Sequence, residues 1–102
     1  MNLTIRERVV LFNILPEKGN FLTMRAIHGL RIALPLSPEE RERGGYVQEG
    51  EVSQWTNDFE AELAIDVEQT GICVDVLREL DKGKLLTIDH VSLYEKFIGR
   101  GA

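Results

Sequence analysis

Two carboxylates two residues apart, Glu60 and Glu62, are the closest thing in this sequence to a chemical pair. Paired acids can share a proton or hold a cation. Here they alternate with Phe59, Ala61, Leu63 and Ile65, which puts both on the solvent face of a half-buried strand. Carboxylates placed that way keep a strand edge soluble. The two histidines offer less. His28 lies on a mixed apolar and basic helix face, as a packed or surface residue. His90 follows Asp89, and consecutive helical residues point to different faces, so they cannot form an orienting dyad. Cys73, the single cysteine, sits in the apolar run Ile72-Cys73-Val74 and reads as a small buried hydrophobe. Two histidines and one cysteine cannot close a structural zinc site by themselves. Ser37, Ser53 and Ser92 lack a G-x-S-x-G context, and no phosphate-binding glycine loop is present. The expectation is a protein that is not an enzyme and needs no cofactor or metal.

The elements that must carry these residues can be read from caps and periodicity. Thr4-Ile5-Arg6-Glu7 is a capping box and opens a helix over about 4–14, ended by Pro16. A second helix runs from Phe21 to Leu34, capped by Asn20 or Thr23. Gly29 in its middle implies either a close helix crossing or a bend. Ser37-Pro38-Glu39-Glu40 is the strongest local signal and starts a short helix stopped by Gly44-Gly45. Residues 46–55 read as a hairpin around Glu49-Gly50, and 59–65 as a strand. Asp66 caps a helix over about 67–82 with Val67, Ile72, Val76, Leu77 and Leu80 on its apolar face. Thr87 opens a last helix through Phe97, and Arg100-Gly101-Ala102 is expected to fray. Strands grouped between helices predict an α+β fold. About five helices would pack with a small antiparallel meander of two or three strands, in a single domain over 1–102.

Length, 102 residues, supports one core. No stretch approaches the ~20 apolar residues of a membrane helix, and no secretory leader is legible, so a protein of the cytoplasm is expected. The net charge of −5 is uneven. Residues 1–35 hold five basic and two acidic side chains, a local +3. Residues 36–66 hold two basic and nine acidic ones, a local −7. The acidic middle opposes generic nucleic-acid binding and can attract a basic partner. Glu39, Glu40, Glu42, Glu60 and Glu62, with Tyr46 and Trp55 at the hairpin, are the candidate partner-binding residues. Charge reversal at Glu39, Glu40 and Glu42 is expected to abolish partner capture and leave the fold intact. The alternative is a winged-helix-like DNA-binding regulator acting through Arg25, Arg31, Arg41 and Arg43. Its would-be reading helix also carries three glutamates, which ranks it second. A homodimer would cover the open strand edge that a short meander leaves.

The stretch Leu3-Thr4-Ile5-Arg6-Glu7-Arg8-Val9-Val10-Leu11-Phe12-Asn13-Ile14-Leu15-Pro16-Glu17-Lys18-Gly19-Asn20 is similar to the start of small uncharacterised proteins of phages and prophages. Ser37-Pro38-Glu39-Glu40, Gln54-Trp55 and Leu93-Tyr94-Glu95-Lys96-Phe97 extend the resemblance along the chain. It implies a phage-encoded accessory protein inside a bacterial cell and adds no mechanism. It carries over no catalytic residue.

Overall fold

The computed structural model describes residues 1–99; the expected frayed end, Arg100-Gly101-Ala102, lies outside them. The chain runs β1 (Asn2–Thr4), α1 (Ile5–Ile14), α2 (Phe21–Ala33), α3 (Pro38–Gly44), β2 (Val47–Glu49) and β3 (Val52–Gln54). It continues with β4 (Glu60–Glu62), α4 (Val67–Lys82), a 3-10 turn (Ile88–His90) and α5 (Val91–Phe97). The fold is α+β. Among the described residues, no helix is long and apolar enough to cross a membrane.

The starts of α1, α2, α3 and α4 are each set by a side chain that satisfies backbone N–H groups left open at a helix end. Thr4 and Glu7 exchange hydrogen bonds at 3.1 and 2.9 Å, Ser37 and Glu40 at 3.2 and 2.9 Å, and Asp66 and Gln69 at 2.8 and 3.0 Å. Asn20, rather than Thr23, caps α2. Gly45 closes α3 in the left-handed conformation at φ 61°, where a Cβ would also strike Thr56. Gly29 lies on the face of α2 that meets α4: a Cβ there would stand 2.5 Å from the Gln69 side-chain amide. The last helix begins with the 3-10 turn, in which His90 Nδ1 accepts the Thr87 N–H at 2.8 Å.

The strands do not form one meander. β2 and β3 make the expected hairpin, with Gln48 opposite Ser53. The 59–65 segment alternates as read, but only Glu60–Glu62 is paired, and its partner is the N-terminal β1. Leu3 lies opposite Ala61 in that antiparallel pair. Three residues that end on a helix cap show no period, so β1 was not legible; pairing with β4 makes it a strand. The two sheets are separate, each of two strands.

Leu3, Leu11, Leu15, Ile27, Leu30, Leu34, Cys73, Leu77 and Leu93 form the main core. Ile5, Leu36 and Phe59 form a smaller one beneath Tyr46, Trp55 and Val9. Val67 departs from its expected place: as the first residue of α4 it is 88% exposed. Cys73 is fully buried, and burial pushes its thiol up to about 12. A thiolate is the reactive form. Folded protein should therefore resist alkylation by iodoacetamide at pH 8, and label quantitatively once unfolded in urea. Rapid labelling of the native protein would contradict this packing.

Candidate functional site

Arg8 is the residue that periodicity passed over. It lies three residues after Ile5 and three before Leu11, on the apolar face of α1, and is only 2% exposed. Its guanidinium meets the chain between α2 and α3. Nε donates to the Leu34 carbonyl at 2.7 Å and one Nη to the Pro35 carbonyl at 2.8 Å. Both Nη atoms reach the Glu40 carboxylate, at 2.7 and 3.2 Å. Such a fork holds a carboxylate in fixed geometry. The Arg8 guanidinium, against some desolvation and aided by the Ser37 N–H, lowers the Glu40 carboxyl to about 2. Glu40 thus caps α3 and pins that helix to α1.

This overturns part of the expected acidic surface. Glu39 and Glu42 are exposed, but Glu40 is a structural anchor, so reversing its charge would disturb the fold. Glu60 and Glu62 project from one face of β4, yet they serve different cations. Glu62 meets the Met1 ammonium at 3.0 Å. Glu60 meets Lys96 of α5 at 2.8 Å. The same Lys96 Nζ donates to Glu7 at 2.6 Å and to the Asn2 carbonyl at 2.9 Å. Burial alone would raise the Glu7 carboxyl, but the Lys96 and Thr4 donors outweigh it and hold it below the ordinary 4.5. Both N3 glutamates of the first two capping boxes therefore do a second job. Among the described residues no cluster of three or more His, Cys, Asp or Glu is arranged to hold a metal ion.

Tyr46 and Trp55 stack with ring centroids 6.2 Å apart and planes 13° from parallel. They flank the base of the hairpin, half-buried over the smaller core, and the Tyr46 hydroxyl and Ser53 Oγ lie 2.9 Å apart. Trp55 is thus a seam residue. The four arginines of the DNA-binding alternative are dispersed. Arg25 faces Glu68 at 3.8 Å. Arg31 lies 5.1 Å over the Phe12 ring, Arg41 5.3 Å over Tyr46 and Arg43 4.2 Å over Phe59. α3 sets Arg41 and Arg43 among its three glutamates rather than on an uninterrupted basic face.

Between α1 and the hairpin lies a groove of about 670 Å³. Val9, Phe12 and Asn13 form its α1 wall, and Leu34, Pro35 and Leu36 the α2–α3 connection beneath. Tyr46, Gln48 and Ser53 line the hairpin side, with Arg41 at its base and Glu51 at its tip. Its size falls within the range of ligand-binding clefts. The groove exists because the Arg8 fork holds the α2–α3 connection against α1 while the Tyr46–Trp55 pair seats the hairpin. Of the sequence-selected residues it gathers Tyr46 and Arg41; Glu60 and Glu62 are outside it. Phe12, Asn13 and Gln48 were not singled out, since no spacing rule relates residues on different elements. No significant match was found among protein-family models, curated proteins or solved structures.

Proposed function

We propose that this protein is a non-catalytic interaction protein that captures a segment of a partner protein in the groove between α1 and the β2–β3 hairpin. The observation that carries the reading is the lining itself: aromatic and aliphatic side chains flanked by amides and the exposed Arg41 guanidinium. That mixture suits a peptide, whose side chains seek apolar surface and whose backbone seeks donors and acceptors. The resemblance to phage and prophage proteins suggests the setting, an accessory factor acting on a host or phage protein in a bacterial cell. Partner recognition then moves from the acidic α3 surface to the groove, with Glu39 and Glu42 on the flank of α3.

A photo-crosslinking residue tests this directly. Placed at Gln48, which lines the groove, it should trap one predominant protein in the cognate cell. Placed at Glu79 on α4, away from the groove, it should trap none at comparable yield. Equal trapping from both positions would reject the groove as the binding surface.

A further inference from the structure

We infer that the segment held in the groove carries a carboxylate, which the Arg41 guanidinium receives at the base of the hairpin. This rests on the groove reading above and adds the chemistry of its occupant. Two arginines line the groove, and they differ in what they have left to offer. Arg8 is saturated by two carbonyls and the Glu40 carboxylate. Arg41 is exposed and forms no ion pair among the described residues, although Glu39, Glu40 and Glu42 are its near neighbours in sequence.

Instead, the Arg41 guanidinium lies over the Tyr46 ring, a groove-lining side chain. A guanidinium over an aromatic face is attracted by the ring without using its N–H donors. The Arg41 fork, 5.3 Å from the ring centroid, therefore still has donors to give, and a guanidinium fork suits bidentate binding of a carboxylate. The lone lining acid, Glu51, stands at the hairpin tip, so the carboxylate belongs at the Arg41 end. A protein of net charge −5 thus presents in this groove one lining cation, Arg41, that has no ion pair among the described residues.

Trp55 is the only tryptophan and stacks on Tyr46, so its fluorescence reports on the site. The probes are three capped peptides of about eight residues, alternating Val and Thr, that differ only in central Glu, Gln or Lys. The Glu peptide should bind at least about fivefold more tightly than the Gln peptide, and the Lys peptide weakest. Arg41→Glu should reverse the order, and Arg41→Gln should abolish the Glu preference. The Arg41 side chain is exposed, and circular dichroism will confirm that both variants fold. Equal affinity for the three peptides, a Lys preference, or no response to any of them would overturn the inference. If the Gln48 crosslink maps to a partner segment without an acidic residue, the groove reading stands and the carboxylate inference falls. If the crosslink shows no site preference, the groove reading itself falls.

Discussion

Replacing Arg8 by alanine should destabilise the protein by about 3–5 kcal/mol, the range seen when one partner of a buried ion pair is removed. Total stability for a domain of this size is of order 5–15 kcal/mol, so Tm should drop by at least about 12 °C. Three losses combine. The Leu34 and Pro35 carbonyls lose their donors, the Glu40 carboxylate loses its fork, and the guanidinium leaves a void beside α1. Arg8→Lys should recover less than half, because an ammonium cannot donate in three directions with the planar geometry of the fork. Urea denaturation of both variants measures this. A change in midpoint equivalent to less than about 1 kcal/mol for Arg8→Ala would show that the α1–α3 tie does not hold the fold.

The same pair fixes an acid limb. Glu40 has its carboxyl lowered from 4.5 to about 2 in the folded protein. A group with a depressed folded pKa stabilises fully above its unfolded pKa and loses that contribution as pH falls toward the folded one. Wild-type stability should therefore fall between pH 4.5 and about 2, with Glu40 supplying roughly 3 kcal/mol of the change. In Glu40→Gln this part of the acid limb should be missing, from a lower starting stability.

The second large effect belongs to Lys96. One ammonium joins the Asn2 carbonyl of β1, Glu7 of α1 and Glu60 of β4, and so fastens α5 to the N-terminal sheet. Lys96→Met should cost about 2–3 kcal/mol, less than Arg8→Ala because the ammonium is partly solvated. It should also speed hydrogen exchange across α5. The stranded group is Glu7, whose residue is 3% exposed. Without Lys96 its carboxyl should titrate at higher pH, since burial is then opposed only by the Thr4 and Ser92 donors. Adding Glu7→Gln to Lys96→Met should recover about 1 kcal/mol, because the unpaired charge is gone. Strictly additive losses would mean that the two groups do not interact. In the wild type, burial alone would lower the Lys96 ammonium; its bonds to Glu60 and Glu7 outweigh that and raise it. Its contribution is full below its unfolded pKa and declines only as pH rises through the folded value. The staple is therefore intact around neutral pH.

How these residues were or were not legible follows from the range of each interaction. Thr4, Ser37 and Asp66 act on backbone three residues away, and Gly45 on the turn it occupies. Their roles can be read along the chain. So can the burial of Leu30, Leu77 and Cys73, which repeats with the helix. Arg8 left a trace, a charge among apolar residues of α1, but nothing local identifies Glu40 as its partner 32 residues away. Lys96 left none: its acceptors lie 36, 89 and 94 residues away. The lining of the groove is of the same kind, drawn from α1, the α2–α3 connection, α3 and the hairpin.

By itself, then, the sequence determined the helices, their caps, the hairpin and the α+β class, because these depend on hydrogen bonds and periodicities spanning a few residues. It also set the charge asymmetry of a basic start and an acidic middle. Only the tertiary structure decided what those charges do. It consumed Glu40 and Glu60 as internal anchors and paired the N-terminal strand with β4. It left Arg41 over the Tyr46 ring, with no ion pair among the described residues. Which charges neutralise one another depends on which elements meet in space, and that is settled by packing the core.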